Sequence, residues 1–423
     1  MRKPRFRLYS LALPLIFMTA FTIASPWDAF QMESIFGQVR DADAISERLP
    51  YWRDDPAPPR LVQRPDLPPL RAVTYNLHSG LGSEWRLFAS RREVEANLRA
   101  IARRIVEEAP ATSPVDVIGL NEVDFHSRRS GWTDQAAFLA DELYSLTGHF
   151  YRVVRGETWR RTVPGLEVQF GNAVLVRHPV MEDHACELGS HCGDESGTTS
   201  DPAGNLFSRI LGEKRGIVRV RIDFHGQPVD VLVTHLEAFV LKQREVQAAE
   251  ILRNYVRPGV PTVLLGDINA VPSDMTAARG PFAADRTHDI LTSGKLVDAR
   301  VRIAALEGLK DLSIWSTYPA LQPEWPLDGV FATADLLPKA VRVVGADESD
   351  HRGLLVSYGW LDEEMAAKYG RWHDSMRRRQ LGIIMNGDLG SPEPEVDRRV
   401  AWLASATGFG EIIAELMKKP VAL

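Results

Sequence analysis

Residues 262–269 read Thr262-Val263-Leu264-Leu265-Gly266-Asp267-Ile268-Asn269, an aliphatic run that ends on a glycine, an acid and an amide. The run predicts a buried strand that presents Asp267 and Asn269 at its C-terminal end. The same arrangement recurs elsewhere: Asn76 follows Val73-Thr74-Tyr75, Glu122 follows Val117-Ile118-Gly119-Leu120-Asn121, and His235 follows Val231-Leu232-Val233-Thr234. One polar residue at a strand end is usually a turn residue. Five of them from four segments point instead to a site held on the rigid ends of a sheet.

Further strands are expected at Ala72–His78, Val115–Val123, Gly171–His178, Ile217–Phe224, Val229–Leu236, Gly329–Thr333 and Gly353–Tyr358. In Ile217–Phe224, Val218, Val220, Ile222 and Phe224 alternate with polar residues, the mark of a half-buried strand. Helices fall between them. Val94, Leu98, Ile101 and Ile105 share one face of a helix from about Arg92 to Glu108. Thr133 is the expected cap of a second, carrying Phe138, Leu139, Leu143 and Leu146; a third runs roughly from Lys242 to Val256. Adjacent strands without a helix between them imply hairpins, so the sheets are mixed. The fold class is α/β, a layered sandwich of two mixed β-sheets flanked by helices.

Outside this body the sequence changes character. Arg2, Lys3, Arg5 and Arg7 precede the apolar run Leu11 to Ala24, so residues 1–25 read as a signal peptide or membrane anchor. The body is therefore expected outside the cytoplasm, periplasmic, secreted or anchored. Residues 26–70 form a proline-rich linker, 71–360 the catalytic domain, and 361–423 a helical C-terminal extension in which Met365, Tyr369, Trp372 and Met376 share a face. The two cysteines, Cys186 and Cys192, suit a small disulfide loop in an oxidising compartment better than a zinc site, which wants a second ligand pair.

A 44% hydrophobic content is enough for a full core, and a net charge of −6 offers no global field to attract nucleic acid. A local groove of Arg128, Arg129, Arg155, Arg160 and Arg161 would be needed for that. Solvated surface is the commoner fate of scattered arginines.

In chain order, Val73-Thr74-Tyr75-Asn76, Leu120-Asn121-Glu122-Val123, Gly171-Asn172-Ala173-Val174, Thr234-His235-Leu236, Gly266-Asp267-Ile268-Asn269, Leu327-Asp328-Gly329-Val330 and Ser349-Asp350-His351 occur between Arg71 and Trp360. This ordered set resembles the endonuclease/exonuclease/phosphatase superfamily, with its deoxyribonuclease I, neutral sphingomyelinase and inositol-polyphosphate 5-phosphatase branches. The resemblance implies a phosphodiesterase or phosphatase that uses Mg²⁺, or Mn²⁺ in its place. Hydrolysis of a phosphate ester needs an in-line water, charge relief on the phosphoryl oxygens and help for the leaving oxygen. Hard carboxylate and amide oxygens suit Mg²⁺. By resemblance Glu122 is the main metal ligand, with Asn76 beside it and Asp350 as a further contact. His351 resembles the general base or phosphate-contacting histidine, oriented by Asp328, while Asp267 and Asn269 meet water, metal or phosphoryl oxygens.

His235 separates the chain from the apurinic-site nucleases of the superfamily and offers a second group for the phosphate or leaving oxygen. Arg215 and Asn172 are candidate substrate contacts, against the plainer readings of a surface arginine and a backbone-bonding amide. Asn121 stands where the family commonly shows Gln and receives no role. The substrate is expected to be a phosphate ester, with a lipid head group and a membrane surface as one setting. Trp85, Phe88, Trp132, Trp159 and Trp325 lie near motif loops, with core packing the expected fate of most of them. An exported nuclease and a catalytically inactive binding module are the competing readings, and the oligomeric state is left open.

Overall fold

The structure is a computed structural model that describes residues 61–363, apart from 85, 164–165, 189–214, 273–281, 283, 294–295 and 310. All of these fall within one compact unit, Ala57–Asp388. The signal or anchor segment, nearly all of the proline-rich linker and the helical extension beyond 363 lie outside the described residues. No helix of the described residues is long and apolar enough to cross a membrane.

In chain order the main elements are β1 (Leu70–Asn76), α1 (Arg91–Glu108), β2 (Val117–Asp124), α2 (Gln135–Thr147), β3 (Arg152–Val163), β4 (Leu166–Val176) and β5 (Val180–Glu187). Then follow β6 (Gly216–Phe224), β7 (Gln227–Thr234), α3 (Leu241–Asn254), β8 (Thr262–Asp267), α4 (Thr287–Thr292) and β9 (Val297–Asp298). The last are α5 (Ala299–Glu307), β10 (Asp328–Ala332), β11 (Leu336–Val344) and β12 (Gly353–Trp360). The strands form two mixed six-stranded sheets, ordered β11-β12-β1-β2-β4-β3 and β5-β6-β7-β8-β10-β9. Each sheet has one parallel pair at its centre, β1 with β2 and β7 with β8, joined through α1 and α3. Antiparallel strands complete both sheets on either side.

Strand alternation places one set of side chains between the sheets and another beneath the helices. Val117, Val174, Leu354 and Val356 meet Val218, Val231, Val233, Leu265 and Val330 in the layer between the sheets. On the outer face of the first sheet, Val73, Ile118 and Leu120 pack with Val94, Leu98 and Ile101 of α1 and Leu139 of α2. On the outer face of the second, Leu232 and Leu264 pack with Ala248 and Ile251 of α3. The sheets approach closely at Gly119, where a Cβ would lie 2.8 Å from Val233 and 2.9 Å from Leu265.

Local chemistry explains the element ends. Ser90 and Glu93 form a reciprocal capping box at the start of α1. Asp134, not Thr133, caps α2: its side chain accepts from the Ala137 N–H at 3.1 Å. The acceptor one residue further on starts the helix one residue later than a cap at Thr133 would. The β6–β7 hairpin turns on His225 and Gly226, with φ of 52° and 83°, the paired positive values of a two-residue turn that follows strand twist. The expected strands are present with ends shifted by a few residues. Strands β3, β5, β9 and β11 were not anticipated. In β5, Val180–Glu187, most side chains are exposed, so its sequence carries little apolar signal. Cys186 in β5 is buried; its expected partner Cys192 lies outside the described residues.

Candidate active site

The topology brings the chemistry-bearing residues to one edge of the sandwich. The parallel pairing of β1 with β2 ends at Asn76 and Asn121. Antiparallel β12 begins beside β1, with Leu354 opposite Thr74, which puts Asp350 and His351 next to the end of β1. In the second sheet, Asp328 at the start of β10 is directly opposite Asp267 at the end of β8. His235 immediately follows β7, the parallel neighbour of β8.

Glu122 occupies a bulge. Leu120 pairs with Ala173 and Val123 with Gly171, so Asn121 and Glu122 together face Asn172. Glu122 has φ of +54°, a left-handed conformation that costs a residue with a Cβ on the order of 1–2 kcal/mol. Asn269 (φ +51°) and His78 (φ +45°) share it, so backbone strain gathers at this edge.

Asp267 is the hub. Its Oδ2 lies 3.6 Å from Nε2 of His235 and 3.6 Å from Nε2 of His351, and it accepts from the Asn76 amide at 3.2 Å. Its Oδ1 accepts from the Asn269 N–H at 2.9 Å, an Asx turn that holds the Asp267–Asn269 segment. The Asn269 amide in turn donates to the Leu236 carbonyl at 3.1 Å, steadying the residue after His235. Gly266 permits this crossing of chains, since a Cβ there would fall 1.8 Å from the Thr234 carbonyl oxygen.

The two histidines have opposite partners. His351 Nδ1 lies 2.7 Å from Asp328 Oδ2, and the Tyr318 ring packs on the imidazole at 4.7 Å between centroids. Burial lowers the basicity of His351, but Asp328, then Asp267 and Asp350, outweigh it and hold its pKa well above the usual histidine value. His235 Nδ1 lies 3.0 Å from Arg215 Nη1. A guanidinium only donates, so Nδ1 accepts and the ring proton sits on Nε2, facing Asp267. Burial, then Arg215, then His351 push His235 well below the usual value. One histidine is a cation paired with a carboxylate and the other is a neutral N–H donor.

Four carboxylates crowd this edge. Burial pushes Asp267 up to about 6; the charge of His351 opposes the shift, while Asp328 and Glu122 add to it. Asp328 Oδ1 is buried without a hydrogen-bond partner. Asp267, Asp328 and His351 bring their ligand atoms within 4.8 Å of one another, while Glu122 and Asp350 are more open, 26% and 27% exposed. An excess of hard, mutually repelling oxygens with no thiol among them fits a divalent cation such as Mg²⁺. The Asn76 amide turns its nitrogen to Glu122 (3.1 Å) and Asp267, and its oxygen to the His78 N–H at 3.0 Å. In this orientation Asn76 bridges the acids as a donor; rotation of the amide would be needed for its oxygen to face Glu122.

The two expected substrate contacts sit deeper. Arg215 is 7% exposed, on His235 and 3.7 Å from Glu237. Asn172 donates to the Gly216 carbonyl at 3.1 Å and accepts from the Asn121 amide at 2.9 Å. Asn121, given no role from sequence, ties the sheets together. It donates to Asn172 and to the Thr234 carbonyl, and accepts from the Asp267 N–H at 2.8 Å. His78 was also overlooked. It lies 3.7 Å from Asp350; burial lowers its pKa, and Asp350 and Glu122 raise it to a net increase. Its place two residues beyond Asn76 was the available signal.

The sequence model of the Endonuclease/Exonuclease/phosphatase family matches residues 73–351. No curated protein matches the chain. Among solved structures, it is similar to an endonuclease/exonuclease/phosphatase family protein from Leptotrichia buccalis, at 20% identity and a TM-score of 0.47, covering 68% of this chain and 98% of that one. It is also similar to a mannosyl-6-phosphatase from Bacteroides thetaiotaomicron, at 15% identity and a TM-score of 0.43, over 68% and 99% of the two chains. A humanized D. rerio TDP2 is matched at 15% identity and a TM-score of 0.42, over 69% and 98%.

Proposed function

The chain belongs to the endonuclease/exonuclease/phosphatase family, and from that premise we propose that it is a divalent-metal-dependent hydrolase of phosphate esters acting on a lipid head group outside the cytoplasm. The observation that carries the reaction class is Asp267 set between two histidines with opposite partners, Arg215 on His235 and Asp328 on His351, with Glu122 and Asp350 at the same edge. In this reading Asp267 and Asn269 hold the attacking water in line with the phosphorus. His351, charged and oriented by Asp328, binds a phosphoryl oxygen; His235 donates its Nε2 proton in a hydrogen bond to the phosphoryl group or the leaving oxygen. Held by Glu122 and Asp350 with Asn76 beside them, Mg²⁺ or Mn²⁺ would supply charge relief on the phosphoryl oxygens.

Support for a lipid substrate comes from the loops leaving the same strand ends. Phe88 after β1, Trp132 after β2 and Phe239 after β7 are 58%, 40% and 50% exposed, although core packing was expected for most such aromatics. Trp325 follows that expectation, at 4%, Trp159 is half-buried, and Trp85 lies outside the described residues. A nucleic-acid groove has less support: Arg129 pairs with Asp124, Arg155 with Asp134 and Arg160 with Glu157. Export or anchoring rests on residues 1–25.

The test is a panel of sphingomyelin, phosphoinositides, glycerophosphodiesters, plasmid DNA and a chromogenic diester, each with Mg²⁺ and with chelator. Chelator-sensitive hydrolysis of a lipid head group is expected. Nicking of plasmid without lipid turnover would replace the lipid by nucleic acid, and no turnover of any ester would remove the reaction class.

A further inference from the structure

We propose that Arg300 is a positioning residue for the Asp328–His351 pair, standing in for the strand that β10 lacks at the end bearing the site. Strand β9 has only two residues and pairs with β10 at Phe331 and Ala332. Towards the site the chain has already left the sheet and entered α5, so the carbonyls of Pro326 and Asp328 have no neighbouring strand on that side. Both residues are buried, and a buried carbonyl left unpaired destabilises the fold. The Arg300 guanidinium fills the gap: Nη1 donates to the Pro326 carbonyl at 2.8 Å and to the Asp328 carbonyl at 2.7 Å.

The guanidinium is itself fixed from behind. Arg300 is 1% exposed, and its Nε and Nη2 donate to Asp298, the Nη2 bond at 2.7 Å. Asp298 also caps α5 by accepting from the Arg300 N–H at 2.8 Å, and its Oδ2 lies 3.0 Å from His288 Nε2. Every donor nitrogen of the guanidinium is thus used within the protein, which distinguishes it from a substrate-binding arginine. What it holds is the backbone of Asp328, from which the carboxylate reaches His351. Asp328 Oδ1 has no hydrogen-bond partner, so beyond the bond to His351 the carboxylate is placed by its backbone, which the clamp holds on one side and β8 on the other.

This inference rests on the proposed role of His351, and one arm of its test does not. In the full-length protein with ¹⁵N-labelled histidine, the Nδ1 proton shared by His351 and Asp328 gives a downfield resonance, assigned by its loss in His351→Gln. Arg300→Met removes the clamp; Arg300→Lys keeps a buried cation but cannot span Asp298 and both carbonyls. The expected result is a displaced resonance in both variants and a kcat on a chromogenic phosphodiester lowered by about 10- to 100-fold, with KM little changed and Lys the milder of the two. Should the Met variant not fold, the Lys variant carries the same comparison. An unmoved resonance in either folded variant overturns the proposal, whatever the rate or the melting temperature does. If the wild type hydrolyses no phosphate ester, the functional reading falls while the resonance still decides the role of Arg300.

Discussion

Asp328 contributes one carboxylate oxygen to His351, and its charge is the largest of the three that hold the imidazole's pKa up against burial. Asp328→Asn preserves size but not the charge that holds the histidine's proton. We expect kcat on a phosphate ester to fall by about 10²–10⁴-fold with a much smaller change in KM, measured by steady-state kinetics on protein whose unfolding transition is unchanged. An unaltered kcat would detach the pair from the chemistry. At this scale the sequence was most legible where a polar residue interrupts an apolar strand, as at Asn76, Glu122, His235 and Asp267. It was least legible where a residue's partners are remote. Asn121 bonds groups 51, 113 and 146 positions away, and no local pattern announces such a set. Arg300 was invisible for the same reason: its value lies in the carbonyls of Pro326 and Asp328, which only the folded sheet brings to it.

Strands rather than helices decide where the site falls, because its residues sit at ends that parallel pairing aligns. The close approach of β2 to β7 and β8 at Gly119 sets the spacing of the two sheets below that edge. Gly119→Ala would press a methyl into Val233 and Leu265, where the packed core has little room to yield. A loss of about 1–3 kcal/mol in urea unfolding is expected; an unchanged midpoint and slope would show that the sheets can part freely. The central strands and α1 were readable because apolar runs and a 3.6-residue spacing mark them. Strand β5, with most side chains exposed, and β9, two residues long, give no such pattern. Their places come from pairing to β6 and β10, a tertiary effect that local sequence does not record.

Over the whole molecule, buried ion pairs make stability depend on pH. Burial alone would raise the Asp298 carboxyl, but Arg300, then His288, hold it well below the usual carboxylate range. A folded carboxyl that resists protonation stabilises the fold above the unfolded value of about 3.9, and this contribution is lost as pH falls. The gap in unfolding free energy between wild type and Asp298→Asn should therefore narrow on acidification from neutral pH; a constant gap would contradict the assignment. The family and the two-sheet plan were legible because motifs in fixed order survive where loops do not. The substrate is harder to read, since surface loops, such as those that expose Phe88 and Trp132, carry no periodic pattern. Hydrolysis is expected to need both a divalent cation and the Asp267–His351 edge. The most direct test is the rate of chromogenic phosphodiester hydrolysis after chelation, across a Mg²⁺ titration, for wild type and His351→Ala side by side. The expected result is no wild-type rate in chelator, a saturable return with Mg²⁺, and a folded variant that stays near background throughout; a metal-independent rate, or a variant as fast as wild type, would overturn that requirement.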